Sequence, residues 1–184
     1  MTKINTLVGN LFNSGVASSP LYLRSTVTPG IFWEFPDGWT HMDDEKLPPE
    51  NMVSANLAET AGGQTSVAIT SAWALKGSVS PAELLTGWKD TLPPAARSIS
   101  SQHEGPTHLS NGARLWSKNT YSVEGLHLVG ASWFDILIPS QNDLPADGVL
   151  VQRVFNSPVD GPEPQITDLP DEVVRVLCSR PGGQ

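Results

Sequence analysis

Cysteine is all but missing from this chain: of 184 residues, only Cys178 carries a thiol. A single thiol can neither close a disulfide within the chain nor assemble a cysteine-based zinc site, so the expectation is a reducing compartment. Positive charge is scarce too, with 11 lysines and arginines against 19 acidic residues and a formal charge of −8. Such a surface repels phosphate backbones and anionic lipid, and nucleic acid is not expected as a partner. No stretch approaches the roughly 20 apolar residues of a membrane span. The opening MTKINTLVGNLFNSGVASSP has no uninterrupted apolar run for a signal-peptide core and no cysteine to accept a lipid. The expectation is a soluble cytoplasmic protein.

Signature motifs are also lacking. There is no G-x-G-x-x-G, G-x-x-x-x-G-K-[ST], G-x-S-x-G or H-E-x-x-H, so the common phosphate-cradling, nucleophile-elbow and zinc-protease chemistries have no local signal. His103 and His108, with Glu104 between them, are separated by the Gly105–Pro106 break and read as loop residues rather than metal ligands. His127 and Asp135 share a strand and a parity but lie about 26 Å apart at strand rise, too far for a base and its orienting carboxylate. Cys178, set among Val and Leu, reads as a small core hydrophobe. Asp43, Asp44 and Glu45 form a solvated acidic cluster without EF-hand spacing. The terminal GGQ is too short to carry meaning. No catalytic residue, metal ligand or cofactor is assigned, and the chain is not expected to be an enzyme.

What the chain does have is periodicity. Ile4, Leu7, Val8, Leu11 and Phe12 recur on one helical face, which predicts an amphipathic helix over about residues 3–13. That face either docks on the protein's own sheet or is offered to a partner. From Pro20 onward the period changes toward two. Strands are expected at 21–27, 31–35, 52–58, 64–74, 97–104, 113–123, 126–138 and 149–157. In 64–74 one face is small (Ala68, Thr70, Ala72), which calls for a helix lying close against it. The stretch SPAELLTGWKDTLPP is expected to supply that helix, with Ser80 as N-cap, Pro81 at the first position and Glu83 completing a capping box. Glu124–Gly125 joins two long alternating runs as a hairpin, and Leu126, Leu128, Ser132, Phe134, Ile136 and Ile138 make a stripe for the core. A proline-rich link leads to a last helix, capped by Asp168 and packed through Val173, Val174, Val176 and Leu177.

This order predicts an α+β fold, a mainly antiparallel sheet with helices packed against it. The expected division is residues 1–19, the N-terminal helix and its link, and residues 20–184, a single domain. FPDGW (35–39) reads as a tight turn: Pro36 presets φ, Gly38 admits positive φ, and Phe35 and Trp39 bracket it. Six tryptophans, 33, 39, 73, 88, 116 and 133, either fill the core or line a cavity between sheet and helix.

The runs TPGIFWEFPDGW, NMVSANLAETAGGQTSVAITSAWALKGSVSPAELL and LSNGARLWSKNTYSVEGLHLVGASWFDILIPS together resemble the LpqN/LpqT family of actinobacterial proteins. Three features carry the likeness over roughly residues 25–158. They are a strand end with Pro36, Asp37 and Trp39; a strand followed by a proline-initiated helix, Val67 to Leu85; and a hairpin ending in Ile138-Pro139-Ser140. The resemblance implies the α/β/α sandwich of the photosystem subunit PsbP and the Ran-binding Mog proteins. It also implies a non-catalytic binding, adaptor or chaperone-like role. Family members are typically exported lipoproteins, from which this sequence departs. The expected function is binding of another protein, through the sheet face or the N-terminal helix, with Leu7, Leu11, Phe12, Trp33, Trp39, Trp116 and Trp133 as contact residues. The alternative is an apolar small molecule or lipid held in an aromatic-lined pocket; an enzyme using that pocket stands third.

Overall fold

The alternating runs pair into one large sheet in the computed structural model, which describes residues 11, 13–21, 29–42, 52–60, 62–86, 88 and 95–179. The elements in chain order are β1 (Ala17–Pro20), a 3-10 turn (Pro29–Ile31), β2 (Trp33–Glu34), β3 (Trp39–His41), β4 (Met52–Glu59), β5 (Thr65–Lys76) and α1 (Pro81–Leu85). There follow β6 (Arg97–Leu109), β7 (Gly112–Val123), β8 (Leu126–Leu137), β9 (Gly148–Pro158), β10 (Gln165–Ile166) and α2 (Asp171–Cys178). The main sheet runs β3-β4-β5-β9-β8-β7-β6 with β1 also paired to β5, and every pairing is antiparallel. A second, two-stranded sheet joins β10 to β2. The expected α+β class is therefore what forms.

Each face of the main sheet owns a core. On the first, Ala68, Ala72, Val151 and Phe155 meet Phe32, Trp33, Leu169 and the inner side of α2, Val174, Leu177 and Cys178. On the second, Trp73, Leu75, Leu115, Phe134, Ile136 and Leu150 meet Leu11, Val16, Leu85 and Trp88. Helices thus cover both faces, and that is why β9 reads VLVQRVF: a strand covered on both sides needs apolar residues at both parities. The β7–β8 turn has the two positive φ angles of a primed hairpin, +50° at Glu124 and +84° at Gly125. Gly38, at φ +93°, closes the FPDGW turn as expected.

Some expectations lie beyond what the structure describes, and others are corrected. The helix predicted for residues 3–13 and the strand predicted for 21–27 fall almost wholly outside the described residues. Ala17–Ser19, expected as link, are sheet residues opposite Lys76, Leu75 and Ala74. Of 31–35 only Trp33–Glu34 is extended, because the Pro29–Ile31 turn precedes it. Ser80 makes no side-chain capping bond, and α1 lasts five residues before Thr86 turns extended. Nor does α1 cover the small face of β5. It packs on the opposite, Trp73 face, while Trp33, Phe32 and α2 fill the space over Ala68 and Ala72. β6 continues past Gly105 and Pro106 to Leu109 by absorbing one extra residue in a bulge. Asp168 caps nothing: α2 starts at Asp171 after Pro170, and Val176 is exposed. The core stripe of β8 begins only inside the strand, since Leu126 stands at the free hairpin end, 47% exposed.

Candidate functional site

Strand register builds a row across the first face. Trp116 stands opposite Trp133, Trp133 opposite Arg153, and Arg153 opposite Thr70. Onto this row the short β2 lays Trp33, whose indole N–H donates to Thr70 Oγ1 at 2.8 Å. The Trp33 ring meets Trp133 edge to face at 5.7 Å and Phe35 at 6.0 Å. Phe35 meets Trp39 at 4.9 Å, and Trp39 meets Phe155 at 6.2 Å. The FPDGW turn brings its two bracketing rings together, and the aromatic chain then crosses the sheet from β8 to β3. Ring pairs at these separations each contribute about 0.5–1.5 kcal/mol beyond area burial.

Beside the aromatic row lies a charged one. Asp135, buried on β8, accepts from Arg114 Nε at 2.7 Å and Arg114 Nη2 at 2.9 Å, and its Oδ2 also accepts from Arg153 Nη2. Arg153 Nη1 donates to the carbonyls of Phe32 at 3.1 Å and Thr167 at 2.6 Å. Arg114 reaches Asp168 at 2.9 Å as well. The cluster therefore fastens the 29–34 and 165–169 segments onto the sheet. Burial disfavours the charge on Arg153 and lowers its pKa; the attraction of Asp135 works the other way, and nearby Arg114 adds repulsion. Burial also works against the charge on Arg114, but hydrogen bonding and charge from Asp135 and Asp168 outweigh it and raise its pKa. With every charge tied to a neighbour or a carbonyl, the arrangement acts as a fastener.

The expected contact residues separate. Leu7 and Phe12 fall outside the described residues. Leu11 and Trp33 are core residues, enclosed by Trp73 and Leu75 on one face and by Thr70 and Trp133 on the other, so neither is presented to a partner. Trp39, Trp116 and Trp133 are half-buried, and the structure gathers them, with Trp33, on one face. Sequence reasoning missed Arg114, Arg153 and Thr167 and gave Asp168 a capping role instead, because only the register of strands far apart in sequence makes them neighbours. It also missed Ser140. The Ile-Pro-Ser end of the hairpin holds α2, its backbone N–H and hydroxyl donating to Asp171 at 2.8 and 2.6 Å.

Three buried polar atoms on the first face, Trp39 Nε1, Asn56 Oδ1 and Arg153 Nε, meet no hydrogen-bonding partner among the described residues. Two open clefts of about 440 and 290 Å³ lie elsewhere, on either side of Ile138, and neither carries an aromatic wall. Burial pushes the Cys178 thiol up to about 12, which keeps it protonated and unreactive.

A family model described as probable lipoprotein LpqN matches residues 4–92. Among solved structures, that of LpqN from Mycobacterium tuberculosis superposes with a TM-score of 0.58 at 17% identity, over 84% of this chain and 86% of that one. The chain resembles LpqN in sequence and in fold. That structure is described as involved in cell envelope biogenesis. No curated protein matches the chain. The LpqN match begins earlier than the motifs that suggested it, at residue 4, and stops before the hairpin, which the likeness of fold recovers. It also overturns one expectation. A family of probable lipoproteins is exported, so the cytoplasmic reading is withdrawn. That reading rested on what the sequence lacks, and a lone buried thiol is equally compatible with an oxidising compartment.

Proposed function

We propose that this chain is a non-catalytic binding protein of the LpqN type, an adaptor or chaperone-like component that engages another protein in cell envelope biogenesis. The observation that supports the reading is where the large apolar side chains come to the surface. Of the four large apolar side chains exposed among the described residues, Val176 is on α2 and the other three, Ile99, Leu126 and Val159, exposed by 55%, 47% and 49%, lie toward the β7–β8 hairpin end of the sheet, where Val159 N–H donates to His127 O. Half-buried Val123 and Leu128 share the sheet face of Leu126, while Val159, level with His127, falls toward the other face of the same end. Apolar side chains left in water at one end of a sheet mark a contact surface. The charged cluster beneath the aromatic row, by contrast, is committed to holding segments in place.

The test is affinity capture from envelope extracts with the full chain and with Leu126→Asp/Val159→Asp, read by mass spectrometry. A protein enriched by the first and lost from the second supports the reading. A second reading, an apolar small molecule or lipid held at the aromatic row, is favoured by the Trp39 indole N–H and the Asn56 side-chain carbonyl, which lack partners among the described residues and which polar groups on a ligand would satisfy. A co-purifying lipid or metabolite without an enriched protein moves that reading to first place.

A further inference from the structure

One edge of the main sheet is β6, and among the described residues it is long and bare. Its thirteen residues pair, among the described residues, with β7 on one side only, and from Arg97 through Gly105 every residue is exposed. An unpaired edge of this length is a template for another strand. Its register with β7 has a particular form. Ser98 is opposite Tyr121 and Ser100 opposite Thr120, so Ile99 is an extra, bulged residue. The bulge shifts parity. Arg97, opposite Ser122, and Glu104, opposite Trp116, thereby come to the same face of the sheet although they are seven residues apart. Neither has an ion-pair partner within the described structure.

The geometry points to a second copy of this chain as the occupant of that edge. A two-fold axis perpendicular to the sheet lays β6 antiparallel to itself. With Ser101 on the axis, Ser100 comes opposite Gln102, Ser98 opposite His103 and Arg97 opposite Glu104, with Ile99 left over as the bulge in each copy. The two-fold requires opposed residues to share a face, and the bulge is what lets Arg97 and Glu104 meet that condition. The edge is thus self-complementary in charge: two Arg97–Glu104 pairs form, one at each end of the joined segment. Backbone hydrogen bonds between the two edges drive association, and the ion pairs fix its register. The net charge of −8 on each copy opposes association and weakens the dimer most at low salt.

Ile99 belongs both to this edge and to the surface proposed for a partner, but Leu126 and Val159 lie outside the joined segment and Arg97 and Glu104 outside the partner surface, so substitutions at the two pairs test the two ideas separately. Sedimentation velocity across roughly 1–200 µM tests it on the full chain. Dimerisation is expected for the wild type. Arg97→Glu and Glu104→Arg, each placing like charges opposite one another twice, should weaken self-association about tenfold or more. The double variant, Arg97→Glu with Glu104→Arg, should restore it to within about threefold of wild type, since the complementarity is only reversed. Both side chains are exposed, so folding is expected to survive, and circular dichroism checks it. A wild type that stays monomeric throughout, or a dimer indifferent to both reversals, overturns the proposal.

Discussion

Asp135 holds two guanidinium groups at once, and one of them belongs to Arg153, which has no exposed surface. Removing one partner of a buried pair leaves the other's charge uncompensated, so Asp135→Asn is expected to cost about 3–5 kcal/mol of stability by equilibrium urea unfolding. None of this was visible locally. Asp135 drew notice only beside His127, with which it has no business; its true partners sit 21 residues before and 18 after it, and nothing short of the pairing pattern brings them together. Cys178 is the opposite case, where a lone thiol among Val and Leu was read directly as core and is so. Its thiol is raised to about 12, whereas an unfolded one titrates near 8.5. Between those values the unfolded chain releases a proton that the folded chain keeps, so this group's contribution to stability falls as pH rises. Alkylation by iodoacetamide at about pH 9 should therefore proceed only through unfolding, with a modification rate that climbs with urea in step with the loss of circular dichroism; modification at full rate without denaturant would contradict the burial.

At the scale of elements, the helices were found more readily than their attachments. Proline at the first position placed the start of α1, yet Ser80 makes no capping bond. Ser80→Ala should accordingly cost well under the roughly 1 kcal/mol of a working cap, as thermal unfolding would show. The short span of α1 and its choice of face were illegible because both depend on Trp73 and Phe134, which belong to other strands. For α2 the signal attached to Asp168, but the structure uses Asp171. Hydrogen bonds from the Ser140 hydroxyl and N–H, with Arg175 nearby, lower the Asp171 carboxyl pKa below its ordinary value. A depressed carboxylate contributes stability above its unfolded pKa of about 3.9 and loses it as pH falls through the folded value. Ser140→Ala is expected to make the acid limb of the stability profile shallower while leaving the neutral-to-alkaline limb in shape; an unchanged acid limb would show that the clasp does not matter to α2.

For the molecule as a whole, period-two alternation was enough to announce an antiparallel sheet with helices against it. Runs such as 113–123 and 126–138 are long, and a hairpin turn joins them without ambiguity. The layering was harder to see, because β5 alternates small and large side chains without saying which helix meets which side. Its strand neighbours were not visible either. One edge of β5 is shared by β1 and β4, and the other is taken by β9, with Val67 to Leu75 lying against Asn156 to Gly148.

That last pairing governs when the protein can exist at all. The central strand is complete by residue 76, but its partner is not reached until residue 148. Any delivery of the chain from its N-terminal end, by a ribosome or through a narrow translocation pore, leaves β5 waiting for β9, and neither core can close in the interval. Residues 1–92 alone, close to the span of the LpqN family match, should remain unfolded by circular dichroism and prone to aggregate. A chain that stays open until its final fifth arrives is one that can be threaded.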